Sequence, residues 1–511
     1  MITDTPSRPA QADSLLATNG HITYTAPSRR EAPKPHTSPT PTYTPGRKWL
    51  LAIIYAYVGL CTLYTLLTPI GEGPDEYHHI RYVEYLVRYG QLPPIRTGDS
   101  TPPYTLEAKQ PPTYYLLNAG IMLALGRSGK LLVPDLTHRP YGGQYLDPPA
   151  TMYPHAPVPA DLLPWTYIMR ATGMLFGICT ILLTFATVRQ VFPRQEESPL
   201  AVGAAALVGL LPQFTFISSV VNNDNLAILI GVATSYVMVR ILMHGANWRR
   251  AASLGVMLGL VLLGKSNLLI FIPAGLLVLC LPGLPLRSLR GNPRNWGRPN
   301  LAYIKHRLPL LALSLVICAL VGGWWTFRNI STYGDPLGHN AVNQMASEIA
   351  LNPVVAVPVT DSADIGMHVR QLVFTSRTHF GWFGWEAVEA PALLYGLYFA
   401  LISLSIIGLL LDFKRRTING RQAACLLLGA LIFELGYVAM TYNAAWRGRL
   451  IFPALALTSL LVVRGTYSWL NLLSKGRLGY APTAAMLAAF LGLSNVYCLF
   501  ALLVPAYYGG S

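Results

Sequence analysis

Runs of roughly 18 to 24 apolar residues recur along this chain, and no other feature limits its fold as tightly. Coiled as an α-helix, such a run spans the ~30 Å hydrocarbon core of a bilayer. A lone helix also satisfies its own backbone hydrogen bonds in lipid. The pattern therefore predicts an all-α polytopic membrane protein. Composition agrees: 52% of residues are hydrophobic, 12% are charged, and the mean hydropathy is +0.39. A soluble helical protein of this composition would expose too much apolar surface.

Spans are predicted near 49–68, 165–188, 199–219, 224–243, 251–264, 267–282, 308–327, 392–411, 423–441, 450–466 and 481–504, about eleven in all. All six cysteines (Cys61, Cys179, Cys280, Cys318, Cys425 and Cys498) fall in apolar segments without a CxxC pair. That usage predicts neither disulfides nor a cysteine metal site. Residues 1–46 are rich in Pro, Ser and Thr and predict a disordered cytoplasmic tail. The tail lacks the apolar core of a signal peptide, so the first span, Trp49–Leu67, is expected to remain as an anchor. A transmembrane module is drawn over 47–466, followed by a C-terminal transmembrane helix, 467–511.

The net charge of +15 raises a nucleic-acid partner, but its distribution argues against one. With the N-terminus cytoplasmic, the inner segments hold 24 of the 38 basic residues and six of the 23 acids. The outer face carries the other 14 basic residues and 16 of the acids. This is the positive-inside pattern of a membrane protein. Glu434 alone lies mid-span, where a carboxylate is costly, and is expected to pair inside the bundle. The apolar run within 111–126 is too short to cross, and counting it as a span would destroy the charge asymmetry. It is read as a helix at the outer surface.

The unusual polar residues converge on the outer loops: about 69–164, 221–225, the turn at 264–266, about 328–391 and 443–449. The densest group is Gly71-Glu72-Gly73-Pro74-Asp75-Glu76-Tyr77-His78-His79. Residues 75–89 read as a short amphipathic helix, with Pro74 to start it and Gly90 to end it. Ile80, Val83 and Leu86 or Val87 make one strip; Asp75, His78 or His79, and Tyr82 share another face. An ionised Asp75 in the first turn can act as a general base, and an Asp-Glu pair can equally cap a surface helix. His78-His79 can ligate a metal, though such a pair more often makes hydrogen bonds.

Several stretches occur in an order that resembles the GT-C superfamily of membrane glycosyltransferases. The similarity is greatest to bacterial relatives of protein O-mannosyltransferases and to aminoarabinose lipid A transferases. The stretches are Pro74-Asp75-Glu76-Tyr77-His78-His79 with Tyr82-Val83-Glu84-Tyr85-Leu86, then Glu107-Ala108-Lys109-Gln110-Pro111-Pro112-Thr113-Tyr114-Tyr115, then Asn222-Asn223-Asp224. Gly259–Lys265, Gly323-Trp324-Trp325-Thr326-Phe327-Arg328-Asn329 with Tyr333-Gly334-Asp335-Pro336, and Arg447-Gly448-Arg449-Leu450-Ile451-Phe452-Pro453 follow. The resemblance covers about 49–465. It departs from the family in lacking a long soluble C-terminal domain, in the two asparagines before Asp224, and in the Pro- and Tyr-rich spacer at 127–164.

The resemblance implies a GT-C-type bundle with juxtamembrane helices in the first outer loop. It implies a polyprenyl-phosphate-linked sugar donor and an inverting displacement. Asp75 is the expected base. Glu76, His79, Tyr82, Lys109, Asp224, Lys265, Arg447 and Arg449 are the expected substrate-binding residues, with the cations facing the departing phosphate. Lipid headgroup contact for the arginines, snorkelling for Lys265 and helix capping for Asp224 are the plainer alternatives. Trp382, Trp385 and their aromatic neighbours can stack on a sugar or form an interfacial belt. No cofactor is implied with certainty, and a divalent metal stays open. The expected partners are the lipid-linked donor, membrane lipid, and a protein, glycolipid or polysaccharide acceptor. The expected location is a bacterial plasma membrane with the site outward. A polysaccharide polymerase or ligase, and a lipid-linked sugar transporter, are the competing functions. No P-loop, GxGxxG, HExxH or GxSxG occurs.

Overall fold

The apolar runs become helices. The computed structural model describes residues 45–95, 107–127, 163–281, 301–341, 365–384, 386–442 and 447–509. The expected disordered tail through residue 44, most of the 127–164 spacer, and Trp385 lie outside the described residues.

Helix α1 spans Pro45–Leu67, so it starts two residues inside the expected tail. Two shorter helices follow, α2 (Glu76–Tyr89) and α3 (Thr113–Ala124). Then come α4 (Leu163–Val191), α5 (Ser198–Gly209), α6 (Pro212–Ser218) and α7 (Asp224–His244). Helix α8 (Trp248–Leu262) is joined through Lys265 and a 3-10 turn (Ser266–Ile270) to α9 (Phe271–Cys280). Helices α10 (Leu301–Tyr333) and α11 (Ile365–Phe380) precede a two-stranded hairpin. Next are α12 (Ala392–Arg415), α13 (Gly420–Tyr442), a 3-10 turn (Gly448–Ala454) and α14 (Leu455–Leu473). The last described span runs through α15 (Tyr480–Tyr497), a π-helical turn (Cys498–Leu503) and α16 (Val504–Tyr508).

Eight helices among the described residues are long and apolar enough to cross a membrane, or nine with α5 and α6 as one broken span. Those two helices meet at 61°, where Pro212 removes a backbone donor and breaks the helix. The expectation of about eleven spans is reduced by α8 and by Ser266–Cys280. Helix α8 has 15 residues, about 22 Å of rise, which is short of the hydrocarbon thickness. With α5 and α6 counted as one span, this pair drops out together and the expected sidedness of the later loops is kept.

Packing between spans depends on small residues. A Cβ on Gly408 of α12 would lie 1.9 Å from the Gly465 carbonyl oxygen of α14, and one on Gly465 would lie 2.0 Å from the Ser405 carbonyl oxygen. The backbones touch directly, as in membrane helix pairs generally. Glu434 departs from expectation: it is exposed on α13 and makes no ion pair among the described residues.

Helix α2 begins one residue after the predicted start, with Asp75 as its N-cap, and ends at Gly90 in the left-handed region. Its two predicted faces are both covered. His79, Ile80, Tyr82, Val83 and Val87 are all buried, because α3 packs against α2 and stacks Tyr115 on Tyr82 at 3.8 Å. Leu116, Leu117, Leu123 and Leu125 are exposed on or just past α3, an apolar edge suited to a membrane surface.

The hairpin pairs Trp382 with Glu389 and Phe383 with Val388. Phe380 and Phe383 are core residues: Phe380 packs on Tyr398, and Phe383 on Tyr64 and Phe216. Neither is placed to stack on a sugar.

Candidate active site

Four separate segments bring charged side chains to one end of the bundle. Asp75 comes from the α1–α2 connection, Asp224 from the first residue of α7, Lys265 from the α8–α9 turn, and Arg449 from the 3-10 turn before α14. Arg449 lies between the two carboxylates. Its Nη2 donates to Asp75 Oδ2 at 3.2 Å, and its Nε lies 3.5 Å from Asp224 Oδ2. Lys265 Nζ donates to Asp224 Oδ1 at 2.6 Å and to Asn223 Oδ1 at 3.0 Å. The result is a chain of alternating charge, buried at Asp224 and opening to solvent at Asp75, whose side chain is 38% exposed.

The backbone supports this placement at a cost. Asp75 has φ 59°, a left-handed conformation unusual for a residue with a Cβ. The adjacent Glu76 explains how it is held. Glu76 is fully buried and takes two hydrogen bonds from Arg170, both at 2.8 Å. It also accepts the N–H groups of Gly71 at 2.9 Å and Val221 at 2.8 Å. Arg170 in turn donates to the carbonyls of Thr65, Thr68 and Pro69. This buried knot joins the end of α1, the start of α2, α4 and the 219–223 connection, so Asp75 and Asp224 share one frame. Glu76 was expected to bind substrate; the structure saturates its carboxylate internally and places it away from the Asp75–Arg449 chain.

Arg449 is positioned by Gly448. A Cβ at 448 would lie 2.2 Å from the Thr375 carbonyl oxygen and 2.5 Å from the His379 amide nitrogen, so only glycine permits this approach to α11. The Gly448 N–H donates to Thr378 Oγ1 at 2.8 Å. Burial pushes His379 down to about 4, so this residue, against the Gly448 carbonyl, is neutral near pH 7.

Burial raises the Asp75 carboxyl, but Arg449, then His79, Arg447 and His78, outweigh it and hold the group down to about 2. His79 is buried and shifted down by burial, against the opposing pull of Glu107 and Asp75. Its Nδ1 lies 2.9 Å from the Tyr115 hydroxyl, which donates to Glu107 at 3.4 Å. His79 Nε2, Asn223 Nδ2, Asp224 Oδ2 and Arg449 Nε are buried polar atoms with no hydrogen-bond partner among the described residues. Orphans of this kind are uncommon in a folded interior.

The remaining expected residues separate. Lys109 shares a concavity with Lys265, walled by Val261, Leu262, Leu269 and Trp325. Burial pushes its ammonium down. Arg447 forms an ion pair with Glu386 at the rim, where its side chain is 47% exposed. Tyr82 is fully buried beneath Tyr115 and does not reach the charged chain. Arg170, Glu107, Tyr115 and Glu386 were not expected as site residues. A signal existed for Arg170, a lone cation within an apolar span; Glu386 is met only through the fold. Among the described residues, no three His, Cys, Asp or Glu side chains are grouped to hold a metal ion. Asp75 and Asp224 instead share a guanidinium, so this donor set does not fit a protein-held divalent cation.

Residues 167–292 match the family model for dolichyl-phosphate-mannose-protein mannosyltransferase. That stretch contains Asn223, Asp224 and Lys265, and leaves out Asp75 and Arg449. No curated protein matches the chain. Among solved structures it is similar to the Archaeoglobus fulgidus oligosaccharyltransferase in the apo form, at 14% identity and TM-score 0.45, over 91% of this chain and 56% of that one. It is also similar to ArnT from Cupriavidus metallidurans in the apo state, at 12% identity and TM-score 0.45, over 91% of this chain and 78% of that one. The same ArnT bound to undecaprenyl phosphate is matched at 12% identity and TM-score 0.44, over 90% of this chain and 78% of that one. The chain spans little more than half the length of the archaeal enzyme. It is an integral multi-pass membrane protein that resembles the GT-C glycosyltransferases.

Proposed function

We propose that this protein transfers a sugar from a polyprenyl-phosphate donor to a hydroxyl acceptor, inverting the anomeric carbon, at the outer face of a bacterial plasma membrane. The observation that carries this reading is the Asp75–Arg449–Asp224–Lys265 chain, with its unsatisfied buried polar atoms.

In the proposed step the acceptor oxygen attacks the anomeric carbon. The bond from that carbon to the phosphate oxygen breaks, and the phosphate leaves with the electron pair. The acceptor's proton passes to Asp75. Arg449 and Lys265, with Lys109 beside them, receive the phosphate, and the apolar wall at Leu262, Leu269 and Trp325 takes the adjoining prenyl units. Arg447 serves at the rim and Asp224 orients the cations. His79 and Tyr82 support the acceptor side from beneath. A carboxylate held at about 2 is a weak base. A donor phosphate that draws Arg449 onto itself removes the main influence holding Asp75 down, so the base strengthens as substrate binds. The acceptor is a protein hydroxyl, a glycolipid or a growing polysaccharide.

The test is sugar transfer by purified protein from a panel of polyprenyl-phosphate sugars, wild type against Asp75→Asn. Wild-type turnover that falls about 10²- to 10⁴-fold in the variant supports both the reaction and the base. A rate kept in Asp75→Asn but lost in His79→Ala moves the base to His79. Intact donor carried across a vesicle membrane without sugar release replaces the transferase reading with transport.

A further inference from the structure

A second concavity, of about 600 Å³, lies at the other end of the bundle. Val191 at the end of α4, Met243 near the end of α7, the α12–α13 connection and the second half of α14 line it. Helix α7 starts at Asp224 in the candidate active site and reaches Met243 roughly 29 Å further on, at ~1.5 Å per residue. The two sites are therefore distinct.

Four arginines line this cavity, Arg194, Arg415, Arg416 and Arg464, against two carboxylates, Asp412 and Glu197. Both carboxylates are already engaged. Asp412 accepts from Arg464 at 2.7 and 3.0 Å, from Ser468 at 2.5 Å and from the Thr417 hydroxyl. Glu197 is buried and accepts the Arg194 backbone N–H at 3.2 Å. Arg194, Arg415 and Arg416 are exposed to the cavity mouth and make no ion pair among the described residues. Arg416 adds a second indication. It sits at φ 57°, capping the end of α12 in the left-handed conformation that favours glycine. Arg464 is packed over Phe192 and Tyr467 at 5.4 Å, and Tyr467 stacks on Tyr480 at 4.0 Å, so aromatic rings floor the cavity.

We propose that this cavity binds a phosphate-bearing anion, a phosphomonoester or diphosphate group carried on a lipid headgroup or free in solution. Guanidinium forks match phosphate oxygens, and three without carboxylate partners leave a cationic ligand no acceptor. Positive charge set only by membrane orientation would spread over the loops; here it converges on one hollow.

The full chain is placed in phosphatidylcholine nanodiscs. Pyrophosphate binding is followed by calorimetry, and retention of added phosphatidic acid by native mass spectrometry. The variants are Arg194→Ala/Arg415→Ala/Arg416→Ala, Arg416→Gly, and Arg249→Ala, an exposed arginine of α8 outside the cavity. Arg416→Gly relieves the left-handed backbone, so its fold is secure. Saturable pyrophosphate binding, weakened about ten-fold or more in the triple variant, weakened in Arg416→Gly and kept in Arg249→Ala, establishes a soluble ligand. The same pattern for phosphatidic acid alone establishes a headgroup. The proposal is overturned by no saturable binding of either probe, by unchanged binding in the triple variant, or by an equal loss in Arg249→Ala.

Discussion

Asp75 is held ionised by its neighbours while its backbone is held left-handed by the Glu76–Arg170 knot. The first fact has a pH signature. A carboxyl depressed to about 2 stabilises the fold once pH exceeds the ordinary carboxylate range, and loses that contribution as pH falls from about 4 toward 2. The difference in thermal midpoint between wild type and Asp75→Asn is therefore expected to be largest above pH ~4 and to close below it. A gap independent of pH would contradict the pairing with Arg449. The second fact has a stability signature. Arg170→Met leaves a buried carboxylate unpaired and is expected to cost about 3–5 kcal/mol, and Arg170→Met/Glu76→Leu to recover part of that. Thermal unfolding of the two variants checks the order. The sequence placed both Asp75 and Glu76 at the substrate, one as the base and the other as a binding residue. Only the fold separates them, because Arg170 lies 94 residues from Glu76 and their contact depends on how α4 crosses α1.

Elements were more legible than contacts. The extent of α2 follows from local chemistry, a proline before it and a left-handed Gly90 after it, and these signals need no partner. Its faces were read less well. A short helix with a polar strip looks solvated, yet α3 covers that strip and buries His79 and Tyr82. The α8–α9 pair read as two spans because apolar periodicity reports burial without reporting depth. Two predictions belong at this scale. Gly448→Ala pushes the 448–454 turn off α11 and moves Arg449; kcat should drop sharply while the thermal midpoint changes modestly. Gly465→Leu separates α12 from α14 along their direct backbone contact; it should lower the midpoint strongly, as over-packing does. Side-by-side unfolding and turnover measurements separate the two outcomes.

Across the whole molecule, the candidate active site and the arginine-lined cavity occupy opposite ends of the helices. The proposed orientation, with the candidate active site outward, puts the arginine end in the cytoplasm. In a background with the native cysteines replaced, Arg416→Cys is therefore expected to react with an impermeant maleimide only after permeabilisation, and Glu389→Cys in intact cells. The reverse pattern would invert the orientation. The helical membrane class, the limits of most spans and the likeness to GT-C enzymes were determined by the sequence, since each rests on local signals: apolar length, cap residues and the order of short motifs. The joining of Asp75 to Asp224 through Arg449, the burial of Glu76 on Arg170, the exposure of Glu434 and the convergence of Arg194 on Arg416 were decided by tertiary structure alone. Partners separated by tens to hundreds of residues meet only when helices pack, and a one-dimensional pattern carries no record of which faces will meet.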